Sequence, residues 1–114
     1  MSSFKVVFYK DLRGREPARE FIELQDKATQ SKFTKLFDLL QIYGPKLMMP
    51  YARHLQNGIY ELRIRGKNEV RIFYVCLTQK QTAVLLHGFK KRTQKTPAKE
   101  LKVAQSRQKG LTTL

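Results

Sequence analysis

The sequence predicts an α+β domain: an N-terminal strand, a helical hairpin, a three-stranded antiparallel meander and a C-terminal helix. Three observations predict it. Residues 59–65, 70–77 and 82–89 are β-rich runs separated only by the polar breaks Gly66-Lys67-Asn68-Glu69 and Thr78-Gln79-Lys80-Gln81, the signature of a meander. Phe33, Leu36, Phe37, Leu40 and Tyr43 recur at helical spacing and stop at Gly44-Pro45. With 114 residues the chain can bury one core but not two, so residues 1–114 read as a single domain. Helices then cover one face of a mostly antiparallel sheet, and the second face is basic and partly open.

Residues 4–9 alternate enough for a strand, and the polar turn at 11–15 contains Gly14. Pro17 suits the first turn of a helix, with Glu16, Glu20 and Glu23 near its positive end. Ala18, Phe21, Ile22 and Ala28 give that helix a patchy apolar face, and the pattern slips at residues 27–31. A second helix is expected over residues 29–43, forming a hairpin with the first; its aromatic stripe is core, not a cofactor site. Residues 46–57 read as a loop or short turn. They carry Pro50, Tyr51, Arg53 and His54 directly into the meander, in position to rim a site on the charged face.

Within the meander, a three-residue loop at 66–68 puts Tyr60, Leu62 and Ile64 on the same face as Val70, Ile72 and Tyr74. Loops of two or four residues would mix apolar and charged side chains. The opposite face then sets Arg63 against Arg71, Arg65 against Glu69 and Glu61 against Phe73. Cys76 falls on the core side with Ile72 and Tyr74, a place for packing more than for a nucleophile. After the last strand, Thr96 is expected to cap a helix with Pro97 at its first position. That helix runs to about residue 107, turning Ala98, Leu101 and Ala104 inward and Lys99, Lys102, Arg107 and Lys109 outward. Gly110 ends it, and residues 111–114 fray.

Lysine and arginine number 23 against 9 acids, a net charge of +14. Residues 1–45 hold 8 basic and 6 acidic side chains, residues 46–114 hold 15 and 3, so the basic pole is the half that contains the meander. Such a field attracts a polyanion, either nucleic acid or an acidic protein. No segment joins a basic face to a long apolar one and no apolar run approaches membrane length, which argues against a membrane partner. A lone cysteine excludes a disulfide framework and fits a reducing cytosol. Met1-Ser2-Ser3 leads straight into the first strand with no signal peptide, so the expected location is cytoplasmic.

Several familiar catalytic devices are missing from the sequence: a Gly-rich phosphate loop, metal-ligand spacing among the 2 histidines and 1 cysteine, a serine in a nucleophile elbow. Neither a cofactor nor a metal is expected. What the charged half offers is arginine, lysine, histidine and tyrosine, which suit cleavage of an RNA phosphodiester by its own 2′-hydroxyl. The substrate brings the nucleophile; the protein aligns it, moves protons and stabilises the phosphorane. Arg63, Arg71, Lys90, Lys91 and His87 are the candidates for this chemistry, and crowding the cations would lower a lysine pKa. Arg53, His54, Arg65, Arg92, Lys95 and Lys99 are candidates for holding the RNA. Each has a plainer alternative: the arginine pair as a solvated face softened by Glu61 and Glu69, His87 as a satisfied core histidine, His54 as an ordinary loop residue, and Lys95 and Lys99 as general phosphate attraction. A non-catalytic RNA- or ribosome-binding module is the competing function. Base-stacking aromatics would favour it, but the charged face offers few: Phe73, with Phe89 and Tyr51 as further candidates. A regulatory protein that binds an acidic partner is a third.

The run Leu55-Gln56-Asn57-Gly58-Ile59-Tyr60-Glu61-Leu62-Arg63, then Val70-Arg71-Ile72-Phe73-Tyr74, then Leu85-Leu86-His87-Gly88-Phe89-Lys90-Lys91, then Thr96-Pro97 with Ala104, resembles the RelE/HigB superfamily of toxins, in its phage-derived, HigB-like branch. The resemblance covers almost the whole chain. It implies a RelE-like fold and the toxin of a type II toxin-antitoxin system, an endoribonuclease that cuts mRNA on the ribosome without metal. It also implies a cognate antitoxin, typically a helix-turn-helix protein, through which alone operator DNA would be contacted. Arg71 matches the arginine such toxins carry in this third strand, Arg63 matches a basic position in the second, and Lys90 and Lys91 follow the last strand where a further basic residue is found. The sequence also departs from the pattern. Residues 91–96 lack the tyrosine that RelE uses after the last strand, and the C-terminal histidine of some HigB toxins is absent. Lys91 is therefore the first choice for proton transfer, with Lys90 and His87 behind it.

Overall fold

In a computed structural model that describes residues 3–111, the chain forms a five-stranded sheet in the order β1-β5-β4-β3-β2 with three α-helices. The strands are β1 (Lys5–Phe8), β2 (Ala52–His54), β3 (Ile59–Ile64), β4 (Val70–Leu77) and β5 (Thr82–Lys90); the helices are α1 (Pro17–Glu23), α2 (Lys27–Tyr43) and α3 (Ala98–Leu111). β1 runs parallel to β5, and every other pairing is antiparallel. The expectations for Met1-Ser2 and for residues 112–114 fall outside the described residues.

The hairpin helices are set by local chemistry. Pro17 opens α1, and α2 starts two residues earlier than the apolar pattern suggested because the Asp26 carboxylate accepts from the Thr29 N–H at 2.8 Å and caps it. The slip in pattern is the junction itself. There the Gln30 amide donates to the carbonyls of Ile22, Glu23 and Gln25, satisfying the end of α1. Gly44, at φ 54°, stops α2. Ala18, Ile22, Phe33, Leu36 and Leu40 from the hairpin pack on Leu62, Ile64, Val70, Ile72 and Tyr74 of the meander. Gly88 of β5 lets α1 come close: a Cβ there would lie 2.5 Å from the Phe21 ring.

The meander has the expected register. Arg63 pairs with Arg71, Glu61 with Phe73 and Ile64 with Val70; the ladder stops there, so residues 65–69 form the connection and Arg65 meets Glu69 through side chains at 3.8 Å. Cys76 packs against the helical-hairpin core, where burial pushes its thiol up to about 11. Four expectations need correction. Residues 46–57 are not merely loop: Ala52–His54 adds strand β2 to the edge of β3, a piece too short for alternation to be read from sequence. The helices do not all share one face, because α3 lies across the other, where Leu101, Ala104 and Leu111 join Ile59, Phe73, Val75, Val84, Leu86 and Phe89 in a second core. Pro97 supplies the carbonyl that starts α3 instead of occupying its first turn, and Thr96 turns its hydroxyl to Arg53. Finally, α3 continues through Gly110 to Leu111, which packs instead of fraying.

A basic cleft as candidate functional site

The part of the second face that α3 leaves uncovered holds a cleft of about 510 Å³, lined by Arg63, Arg65, Glu69, Arg71, Lys91 and Arg92 and closed by Thr93 and Gln94. β3 supplies Arg63, β4 supplies Arg71, the turn between them Arg65 and Glu69, and the segment leaving β5 the rest. The Lys91 N–H donates to the Glu69 carbonyl at 2.7 Å, which ties that segment down beside the β3–β4 turn.

Arg71 is not a solvated side chain. It is 3% exposed, donates from Nη2 to Glu69 Oε1 and from Nη1 to the Val70 carbonyl, both at 3.1 Å, and holds Nε 3.8 Å from Glu61 Oε1. Glu61 is fully buried, and its Oε1 also accepts from Arg53 Nε at 3.1 Å. Two carboxylates thus lie among the cations and make the Arg63–Arg71 juxtaposition tolerable. Even so, Glu61 Oε2, Arg63 Nε and Arg71 Nε are buried without a hydrogen bond among the described residues. The two arginines differ: Arg71 is neutralised from within by Glu61 and Glu69, while Arg63 is left half-buried with its Nη1 against the Met49 sulfur at 3.0 Å.

This crowding moves the titrations. Burial holds the Lys91 ammonium below the ordinary 10.5; Arg71, Arg53 and Arg63 push the same way and Glu61 pushes back. Arg63 is likewise lowered, by burial and then by Arg71. Burial alone would raise the Glu69 carboxyl, but the hydrogen bonds from Arg71 and the Gly66 N–H with the Arg71 and Arg65 charges bring it below its usual range. A cationic cleft holding a lysine whose pKa is lowered has groups that can bind a phosphodiester, shield developing negative charge and exchange protons.

The sequence candidates divide. Arg63, Arg65, Arg71, Lys91 and Arg92 converge on the cleft, and Arg53 borders it through Glu61 and the Thr96 hydroxyl. His87 shares the sheet face but sits under α3. Its Nε2 lies 2.8 Å from Glu100 Oε1, its Nδ1 lies 3.3 Å from Arg107 Nη1, and burial lowers its pKa despite Glu100. A bulge between Phe73 and Tyr74 of β4 and the facing residues of β5 turns His87 to this side; strict alternation from Leu85 would have put it in the hairpin core. Lys90 pairs with Val70 and so faces the hairpin side, where its charge acts on Asp26. His54 is also on that side, edge-on to Tyr60. Lys95 and Lys99 are exposed beyond the cleft lining. The residue that sequence reasoning undervalued is Glu61, an acid inside a basic strand. The register already placed it on the charged face, and only the structure shows it buried between two arginines.

Residues 20–109 match the family described as Phage derived protein Gp49-like (DUF891). The fold is similar to that of the E. coli toxin RelE, solved as an arginine-to-alanine double mutant in the free state: TM-score 0.64 at 14% identity, over 94% of this chain and 98% of that one. It is also similar to the toxin-antitoxin complex RelBE2 of Mycobacterium tuberculosis, with TM-score 0.56 at 16% identity over 80% of this chain and 94% of that one. Among curated proteins none matches the sequence. With its family pattern spanning most of the chain and its strands and helices arranged as in RelE, this protein belongs to the phage-derived Gp49-like family and has the fold of the RelE toxins.

Proposed function

We propose that the chain is the toxin of a type II toxin-antitoxin pair and an endoribonuclease that cuts mRNA in the ribosomal A site. The observation that carries this is the cleft: Arg63, Arg65 and Arg92 around the buried Arg71–Glu61 pair, with Lys91, its pKa lowered by burial, at its edge. The RNA 2′-oxygen attacks phosphorus and gives its proton to Lys91 as the neutral amine. The new P–O2′ bond forms as the P–O5′ bond breaks, and the Lys91 ammonium so formed returns the proton to the 5′-oxygen. The products are a 2′,3′-cyclic phosphate and a 5′-hydroxyl. Arg63 and Arg65 shield the phosphorane oxygens. Arg71 is too buried to be the main phosphate clamp; it fixes the cleft floor. No metal or cofactor takes part in this scheme.

The partner is an antitoxin, in this branch of helix-turn-helix type, with operator DNA contacted only through it, and the site of action is the cytoplasm. A toxin-antitoxin complex among the structures of similar fold supports the pairing. The binding-only alternative keeps only Tyr51 of its three stacking candidates, because Phe73 and Phe89 are buried beneath α3. No helix among the described residues is long and apolar enough to cross a membrane. The test is induced expression in a bacterial host, with end analysis of the mRNA. Growth arrest with new 2′,3′-cyclic phosphate and 5′-hydroxyl ends is the expected result. Arrest with intact message would refute the cleavage and leave a binding protein.

A further inference from the structure

Beside the basic cleft, across the edge of β3, lies a second cavity of about 430 Å³ of opposite character. Its walls are the apolar side chains of Leu36 and Leu39 from α2, Ile64 from β3, and Pro50 with Tyr51 from the segment before β2. Two of its cationic lining residues, Arg63 and Arg65, also line the cleft. Lys32 and Lys35 stand on the α2 side, and the Lys32 ammonium is fixed by the Arg65 carbonyl at 2.7 Å. Tyr51 is 44% exposed, whereas Phe73 and Phe89 are closed off. Its backbone is tied to β3, because the Arg63 N–H donates to the Tyr51 carbonyl at 2.8 Å.

We infer that this cavity receives one unstacked base of the RNA strand whose phosphates lie in the cleft, with Tyr51 as the stacking surface. The inference rests on the proposed reading that RNA occupies the cleft. Two adjoining sites, one polar and cationic, the other apolar with an exposed aromatic, joined by a shared pair of arginines, match the alternation of phosphate and base along a single strand. Four cations around an apolar floor also suit a nucleotide better than an uncharged apolar ligand. The cavity would bias which base is accepted next to the cleaved bond. Stacking by a ring tolerates any base, so the preference would come from the shape of the Leu36, Leu39 and Pro50 wall.

The test uses binding, not cleavage, so that it stands apart from the catalytic reading. A pentaribonucleotide with 2-aminopurine at its centre is titrated with the wild-type chain, Tyr51→Phe and Tyr51→Ala, and against a matched oligonucleotide with an abasic centre. Tyr51 is exposed, and its contact with Arg63 is through the backbone, so both variants are expected to fold; thermal unfolding checks this. Wild type and Tyr51→Phe should quench the 2-aminopurine. Tyr51→Ala should lose the quenching and bind about tenfold or more weakly, a loss the abasic oligonucleotide does not show. Equal quenching and affinity for Tyr51→Ala overturn the inference. So does a Tyr51→Ala chain that binds RNA normally but no longer binds the antitoxin, since the groove would then dock protein. Quenching and binding as expected in a chain that never cuts mRNA would leave this inference standing and remove the catalytic one.

Discussion

Arg63 and Arg71 face each other across two strands, yet their surroundings give them different work. Arg71 is enclosed with Glu61, and removing it leaves the buried carboxylate with only the partly exposed Arg53, at a cost of up to about 3–5 kcal/mol. Arg71→Ala should therefore lower stability by that order in urea titration, and any loss of activity would be confounded by loss of fold. Arg63 is half-buried and repelled by its partner, so Arg63→Ala should change stability by no more than about 0.5 kcal/mol while removing cleavage. If Arg63→Ala unfolds the chain, the division of roles is wrong. Lys91 gives a second contrast. With its pKa below 10.5, cleavage should rise with pH as the amine loses its proton, and Lys91→Arg, which keeps the charge but not the titration, should bind RNA and fail to cut. Undiminished cutting by Lys91→Arg would remove Lys91 as the proton acceptor. The arginine pair was legible in the sequence because alternation allows one register; the burial of Arg71 was not, since it depends on how Glu61 and the segment after β5 close over it.

At the scale of elements, α3 is fastened to β5 through His87, flanked by Glu100 and Arg107 from the helix, with Arg107 also donating to the Leu86 carbonyl at 2.7 Å and lying over the Tyr9 ring. Burial lowers the His87 pKa below 6.5, so the fold prefers the neutral ring. Its contribution is complete above 6.5 and is lost as pH falls below that value, where a protonated ring would also face the Arg107 charge. The unfolding temperature of the wild type should fall more between pH 7 and pH 5 than that of His87→Gln; equal falls would refute the linkage. Neither the bulge that turns His87 outward nor the three residues of β2 had a sequence signal. A bulge moves one side chain across a sheet without altering composition, and a strand of three residues is defined by its neighbour, not by its own pattern. The long helix, the meander and the stop at Gly44 were legible because each rests on local chemistry.

For the whole molecule, charge and fold point the same way. The basic half of the sequence is the half that builds the cleft, and the acids that remain in it are spent inside: Glu61 and Glu69 among the arginines, Glu100 on His87. The outward field is therefore cationic. RNA affinity should fall steeply with salt, and Arg65→Ala and Arg92→Ala should each lower the slope of log affinity against log salt by about 0.7 without changing base preference. An unchanged slope would put the RNA elsewhere. The order of elements and the faces of the meander were readable from sequence; the side that α3 covers was not, because its apolar stripe fits either face of the sheet. The central claim is tested most directly by reconstituted translation with primer extension on the mRNA, comparing wild type with Arg63→Ala. Breaks at A-site codons that need the ribosome and vanish in the folded Arg63→Ala chain are the predicted result, and intact mRNA with wild-type protein bound to the ribosome would contradict it.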